Sequence, residues 1–254
     1  MRPSLGRLAR RLDAALRPLA DLIAPASCPI CGAETCGSPF CLDCRDELLG
    51  AAGMACPRCA LSVGPWANLD RGCSKCRDKR LGFDAALALG PYQGPIRDLC
   101  LRLKHRHDAW LSRWLAELLT DARSEFLRLE VERDPRALAV PVPLHWWRRL
   151  ERGYNQAEAL ADALSRRLAV KSAHPLRRVV DTPRLFGLGR VERAKQLKDA
   201  FRCRPDRRLQ GRTVLLIDDI LTTGATCGAA ARALKQAGAA RVVAVVIARA
   251  EGRV

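Results

Sequence analysis

The stretch Val214-Leu-Leu-Ile-Asp-Asp-Ile-Leu-Thr-Thr-Gly-Ala-Thr226 decides the fold. Its first four residues, 214–217, are aliphatic, too few for a helix and followed by a polar break, so they predict a buried strand. Two adjacent carboxylates, Asp218 and Asp219, follow that strand. The alanine-rich residues 228–237 then predict a helix. This order of strand, acid pair, threonine-rich loop and helix is typical of an α/β domain with a ligand site at the strand end.

The loop between the acid pair and the helix has the composition of a phosphate site. It consists of Thr222, Thr223, Gly224, Ala225 and Thr226. Hydroxyls and backbone N–H groups at the start of a helix converge on one point, where the helix dipole also favours an anion. The preceding carboxylates can accept hydrogen bonds from sugar hydroxyls or hold Mg²⁺ through its waters. These residues predict a ribose-5-phosphate site at the edge of a parallel sheet. The alternative is a plain strand-to-helix junction in which the aspartates cap the helix.

Eight of the twelve cysteines form four Cys-x-x-Cys pairs: Cys28/Cys31, Cys41/Cys44, Cys56/Cys59 and Cys73/Cys76. Each pair predicts a zinc knuckle, a tight turn that directs two thiolates at one ion. The simplest pairing is sequential, which gives two sites of four thiolates, no open coordination position, and two structural zinc ions. Residues 28–76 have few large apolar side chains, so metal binding must supply their folding energy. Cys36 fits no pair and is predicted to be a free thiol.

The net charge of +17 on 254 residues favours phosphate-rich partners. The alternative is that coding preference alone explains the excess of arginine. Residues 1–26 predict an amphipathic helix that packs on the zinc module or lies on an anionic surface. They have no uninterrupted apolar core of the kind a signal peptide needs, and no stretch of the chain predicts stable membrane insertion. Paired cysteines without a signal peptide predict a cytoplasmic protein.

Residues 83–250 predict one α/β domain with its own core. Apolar runs at 83–89, 137–142 and 241–248 predict strands, whereas helical spacing predicts helices over 96–103, 110–119 and 157–168. A loop is predicted over 144–156, where Arg148, Arg149 and Arg152 either clamp a pyrophosphate or form a solvated basic surface. A second, arginine-rich loop is predicted over 181–201, long enough to close over an active site.

These motifs resemble those of known proteins. Residues 214–226 resemble the phosphoribosyl pyrophosphate signature of type I phosphoribosyltransferases. Together with the four knuckles and with Pro141-Val-Pro-Leu-His145 and Arg152-Gly-Tyr-Asn-Gln156, they resemble the ComF family, which is linked to DNA uptake and natural competence. The resemblance implies a parallel sheet flanked by helices, preceded by a small Cys-rich zinc-ribbon module. The expected domains are the helix 1–26, a double zinc ribbon over 27–80 and a phosphoribosyltransferase-like domain over 83–250.

The resemblance also assigns roles. Asp218 and Asp219 would meet the ribose hydroxyls of phosphoribosyl pyrophosphate, and residues 222–226 would hold its 5-phosphate. The 143–152 loop would face the pyrophosphate, and residues 182–198 would form a flexible loop. This chain departs from the family pattern in that loop, at Leu185 and Gln196, which bears on catalysis more than on ligand binding.

Two hypotheses of function follow. In the first, a ComF-like protein of DNA uptake binds phosphoribosyl pyrophosphate or a nucleotide with Mg²⁺ and meets single-stranded DNA or a DNA-uptake helicase. In the second, the chain is an active phosphoribosyltransferase with an unknown base or amine acceptor, for which the catalytic candidates are Arg148, Arg152, Arg184 and Lys195. A purely structural zinc adaptor is a third reading, which leaves the 214–226 stretch unexplained. Because free aromatic residues are few, base stacking is expected to contribute little to DNA binding.

Overall fold

The computed structural model describes residues 27–180 and 200–251. Its helices are α1 (Leu42–Gly50), α2 (Gly94–Arg102), α3 (Leu111–Ala122), α4 (Ser124–Arg133), α5 (Trp146–Arg152), α6 (Gln156–Arg167) and α7 (Ala225–Gln236). Its strands are β1 (Ala85–Pro91), β2 (Leu138–Pro141), β3 (Lys171–Ser172), β4 (Leu176–Arg178), β5 (Phe201–Cys203), β6 (Thr213–Leu221) and β7 (Arg241–Arg249). Short 3-10 turns lie at Arg106–Asp108 and Arg207–Leu209.

The chain divides into two compact units, Met1–Glu47 and Leu48–Val254. The first four-cysteine group lies in the smaller unit, whereas the second lies in the larger one. The domain boundaries expected from sequence, with a zinc-ribbon module over 27–80 and a ligand domain over 83–250, remain predictions.

A five-stranded parallel sheet forms the centre of the larger unit, in the order β1-β7-β6-β2-β3. The register pairs Val214 with Val242 and Leu216 with Val140, so that β6 lies between β7 and β2. Strands β6 and β7 are almost wholly buried because helices cover a parallel sheet on both faces, which explains their continuous apolar sequences. The α/β fold with a parallel sheet is thus confirmed.

Three predictions from sequence are corrected. Strand β6 does not end before the acid pair: it continues through Asp218 to Leu221 because β7 offers pairing partners along its whole length. The predicted loop over 144–156 contains helix α5, which ends where Gly153 adopts a φ of +71°. Trp110, expected in a buried helix stripe, is 44% exposed.

Some predicted features lie outside the described residues. These are the amphipathic helix over 1–26 and most of the 181–201 loop, including Arg184, Leu185, Lys195 and Gln196. In the part of the chain that the structure describes, no helix is both long and apolar enough to cross a membrane.

Candidate functional site

The acid pair lies at the carboxyl end of β6, the centre of the sheet. Asp218 is half-buried, and one of its carboxylate oxygens accepts a hydrogen bond from the N–H of Asp219 at 3.0 Å. Asp219 is buried and accepts from the N–H of Ile220 at 2.9 Å. Burial and the neighbouring charge of Asp219 raise the pKa of Asp218 well above its ordinary value. Two negative charges are therefore unfavourable at this site, and a bound cation or hydroxyl donors would stabilise them.

The threonine loop joins the acid pair to helix α7. Gly224 adopts a φ of +79° at the helix N-cap, a left-handed conformation that favours glycine. The hydroxyl of Thr223 accepts a hydrogen bond from the N–H of Ala225 at 3.3 Å. Residues 223–226 are half-buried and Thr222 is exposed, so the loop remains accessible to a ligand at the helix N-terminus. The loop thus joins β6 to α7 in the order expected from sequence, and its role as a phosphate site stays a prediction.

A segment that follows β2 forms hydrogen bonds with strand β6 and with Asp219 of the acid pair. Val142 donates its N–H to the carbonyl of Ile217 at 2.8 Å, and the Asn155 side chain donates to the carbonyl of Val142 at 3.1 Å. Gln156 then donates from Nε2 to Oδ2 of Asp219 at 3.1 Å. The Asn-Gln dipeptide therefore orients an acid that lies more than sixty residues further along the chain. The sequence motif containing Gln156 was recognised, but this contact with Asp219 was not foreseen.

One thiol contacts the acid pair, and the charge of Asp219 also acts on the phenol of Tyr154. The Cys227 thiol contacts Oδ2 of Asp218 at 3.9 Å, and burial followed by the two carboxylate charges raises its pKa well above the ordinary value. Burial likewise raises the pKa of Tyr154 to about 12. Both groups therefore stay protonated near neutral pH. No local sequence pattern distinguishes Cys227 from an ordinary small core residue.

Helix α5 presents arginines and tryptophans. Arg149 pairs with Glu158 at 2.6 Å, whereas Arg148 and Arg152 are half-buried and form no ion pair with any described residue. Trp146 and Trp147 are 62% and 59% exposed, and their rings meet edge to face with centroids 5.7 Å apart. Two aromatic side chains are therefore exposed on this helix, and the small contribution of base stacking to DNA binding stays a prediction.

The paired cysteines form two groups, as the sequential pairing predicts. The first comprises Cys28, Cys31, Cys41 and Cys44, and the second comprises Cys56, Cys59, Cys73 and Cys76. Within each group the four sulfur atoms lie within 4.8 Å of one another. Cys36 is exposed and belongs to neither group.

Both groups fit a tetrahedral zinc ion. A Zn–S bond of about 2.3 Å requires sulfur atoms about 3.8 Å apart. The Cys31–Cys41 distance is 3.6 Å in the first group, and the Cys59–Cys73 distance is 3.6 Å in the second. Burial alone would raise the pKa of Cys56, but the N–H groups of its neighbours outweigh it and lower the value to about 7. Burial instead raises the pKa of Cys59 and Cys76, so all four sulfur atoms would become thiolates only with a bound cation.

Comparisons with known proteins agree with the fold. A family profile described as "Phosphoribosyl transferase domain" matches residues 155–254. The parallel sheet and this match define a protein with a phosphoribosyltransferase domain.

Similar proteins with curated names identify the family within this class of phosphoribosyltransferase-domain proteins. The chain is 30% identical to "Competence protein F" of Haemophilus influenzae over 83% of its own length and 96% of the relative. It is 31% identical to "Competence protein ComFC" of Bacillus subtilis, with 80% of each chain covered. It is 30% identical to "DNA utilization protein YhgH" of Escherichia coli, over 74% of this chain and 80% of the relative. The chain belongs to the ComF family.

Proposed function

We propose that this protein binds phosphoribosyl pyrophosphate, or a related phosphosugar or nucleotide, and acts in DNA uptake. The observation that carries the proposal is the junction of β6 and α7, where Asp218 and Asp219 stand next to a threonine loop at a helix N-terminus. The loop N–H groups and hydroxyls would hold a 5-phosphate, and the carboxylates would accept from the ribose hydroxyls. Arg148 and Arg152, without ion-pair partners among the described residues, are available for a pyrophosphate.

Asp218 and Asp219 would also hold Mg²⁺ through its waters. The fit rests on the donor set, because two adjacent carboxylates that lie next to the threonine loop offer the oxygen atoms with which Mg²⁺ and its waters interact. When bound, Mg²⁺ would neutralise phosphate charge beside these residues. The chain's own contribution is orientation: Gln156 fixes Asp219, and the backbone N–H of Asp219 fixes Asp218.

The two four-cysteine groups would each hold a structural zinc ion. Four thiolates fill the tetrahedron and leave no position for a substrate, so the metal would stabilise the fold without reacting. Thiolate sites of this kind persist in a reducing compartment, which favours the cytoplasm. There the ligand domain would serve the DNA-handling role suggested by relatives named for competence and DNA utilization.

Calorimetry with and without Mg²⁺ tests ligand binding. Wild-type protein should bind phosphoribosyl pyrophosphate, and the double change Asp218→Asn/Asp219→Asn should weaken binding by about 2 kcal/mol or more, the scale of lost charge-assisted hydrogen bonds. Glu132→Gln, which neutralises an exposed carboxylate on α4, is the matched control and should leave affinity unchanged. Equal affinity in the wild type and the double variant would contradict the proposal.

The alternative is an active phosphoribosyltransferase. Its catalytic candidates, Arg148, Arg152, Arg184 and Lys195, would stabilise the leaving pyrophosphate electrostatically. Release of pyrophosphate in the presence of candidate bases or amines distinguishes this alternative from a sensor. Binding without release for every acceptor tested would favour the sensor.

Single-stranded DNA is a second proposed partner, favoured by helix α5. Its two exposed tryptophans offer flat surfaces for bases, and Arg148, Arg149 and Arg152 lie on the same short helix for phosphates. Stacking would tolerate any base, so binding should depend on salt more than on sequence.

Titration of a dye-labelled oligothymidylate with the protein, followed by the fluorescence of the dye, tests this partner. The change Trp146→Ala/Trp147→Ala should weaken binding at least tenfold, because stacking contributes about 1–3 kcal/mol per base. Trp66→Ala is the matched control, since Trp66 is 96% exposed and lies on another segment. If the control weakens binding as much as the double variant, the DNA surface lies elsewhere.

A further inference from the structure

Arg249, the last residue of β7, joins the second four-cysteine group to the threonine loop. Its Nε donates to the carbonyl of Cys59 at 2.8 Å. Its Nη1 donates to the carbonyl of Leu221 at 2.8 Å and also contacts the carbonyl of Thr222. One guanidinium therefore holds a residue of the second four-cysteine group, the last residue of β6 and the first residue of the threonine loop.

The chain that leaves the second group also packs against the first turns of α7 and, through Phe83, against the threonine loop. A Cβ on Gly228, in the first turns of α7, would lie 2.2 Å from the carbonyl oxygen of Leu81. A Cβ on Gly82 would lie 2.5 Å from the carbonyl oxygen of Gly228. The two backbones thus approach so closely that each crossing residue is a glycine. The ring of Phe83 lies 3.5 Å from the corresponding position on Gly224.

We propose that the second four-cysteine group is a positioning element for the phosphate loop and that Arg249 is the residue that transmits its position. The inference rests on the proposed ligand site, which it deepens. The inference assigns the Cys56–Cys76 group a role beyond local folding. A change that makes this group less ordered should also make the threonine loop less ordered. Arg249 touches no ligand atom in this scheme and acts only through the backbone that it holds.

Peptide geometry explains how Arg249 would act. A carbonyl and the N–H that follows it share one rigid plane and point in opposite directions. When Arg249 holds the carbonyls of Leu221 and Thr222, it also fixes the directions of the next two N–H groups, on Thr222 and Thr223. Donors with fixed directions bind an anion more tightly than donors that must be ordered on binding, because the ordering cost is met in advance.

The variant Arg249→Lys tests the proposal. Lysine keeps the charge but lacks the planar fork that reaches several carbonyls at once. We expect hydrogen exchange at residues 222–228 to become at least tenfold faster. The dissociation constant for phosphoribosyl pyrophosphate should rise about tenfold, while the zinc content stays at the wild-type value.

Arg123→Lys is the matched control. Arg123 also holds two carbonyls from distant segments, those of Ala88 at 2.8 Å and Gly53 at 3.1 Å, but neither belongs to the loop. The variant Arg123→Lys should lower the melting temperature about as much as Arg249→Lys does. It should leave hydrogen exchange at residues 222–228 and the affinity for phosphoribosyl pyrophosphate unchanged.

The outcomes separate this proposal from the proposed function. Faster loop exchange in Arg249→Lys alone supports the coupling even if the wild type binds no phosphoribosyl pyrophosphate, in which case only the ligand assignment fails. Unchanged loop exchange in Arg249→Lys overturns the coupling whatever the wild type binds. Equal acceleration in Arg249→Lys and Arg123→Lys also overturns it, because general destabilisation would then explain both.

Discussion

The two zinc knuckles that begin with Cys-Pro-x-Cys have nearly the same backbone but different surroundings. In the first, Cys28 donates to the carbonyl of Ala33 at 2.7 Å; in the second, Cys56 donates to that of Leu61 at 2.8 Å. An antiparallel bridge encloses each knuckle, Ser27 with Glu34 and Ala55 with Ser62. Yet Cys31 is exposed, whereas every cysteine of the second group is buried.

One position shows how the difference arises. The residue after each Cys-Pro-x-Cys motif has a positive φ, +78° at Gly32 and +58° at Ala60. Glycine adopts this conformation freely, whereas alanine loses roughly 1 kcal/mol or more. Ala60 is 2% exposed and belongs to the hydrophobic core of the larger unit, so burial of its methyl group offsets that cost. The same motif thus serves as a separate unit in one case and as part of a domain core in the other.

The largest expected effect on stability comes from replacing two cysteines of the second four-cysteine group. Cys56→Ser/Cys59→Ser should unfold the Leu48–Val254 unit, because a structural zinc site contributes about 10–16 kcal/mol in small domains, as much as a typical domain's whole stability. Cys28→Ser/Cys31→Ser should leave the larger unit folded. Circular dichroism and calorimetry of the two variants measure the contrast.

This prediction differs from the expectation drawn from sequence. Residues 83–250 were expected to fold on their own core, so that only residues 28–76 would depend on metal. Retention of the full helical signal in Cys56→Ser/Cys59→Ser would favour that simpler view and would make the burial of the second group energetically unimportant.

A smaller effect is expected from glycine substitutions. Gly228→Ala places a methyl group against the Leu81 carbonyl and should destabilise the larger unit by about 2–3 kcal/mol, as overpacking does. Gly32→Ala meets no atom within 4 Å and should cost only the conformational penalty of about 1–2 kcal/mol. Denaturant titrations of both variants give the two free energies. A larger loss in Gly32→Ala than in Gly228→Ala would reverse the comparison.

The sequence predicted what depends on local pattern. The sequential cysteine groups follow from spacing, and the parallel sheet follows from apolar runs that alternate with helical patterns. The Asp218–Thr226 region was located because its strand, acids and loop are contiguous.

Features that depend on distant partners were not predictable in this way. Arg249 looks like the polar end of a strand, and its contact with Cys59 spans 190 residues. Strand β6 extends through the acids only because β7 pairs with it, and Trp146 and Trp147 have no local mark of exposure. One signal was present but unused: Cys-Pro-x-Cys occurs twice, and glycine follows the first copy where alanine follows the second.

The smallest expected effect tests the comparison between the two cysteine groups through the thermodynamic linkage of zinc binding and ligand binding. If the second group positions the phosphate loop, a ligand held by the loop must stabilise the second group by the same coupling free energy, because linkage between two binding sites is reciprocal. Saturating phosphoribosyl pyrophosphate with Mg²⁺ should therefore raise the equilibrium zinc affinity of the second group several-fold and leave the affinity of the first group unchanged. Equilibrium competition with a metal-sensitive dye measures both affinities, and Cys28→Ser/Cys31→Ser, which retains only the second site, assigns them. An equal gain in affinity at both groups would mean that the ligand stabilises the whole chain without regard to the second group, and the two groups would then differ in burial but not in function.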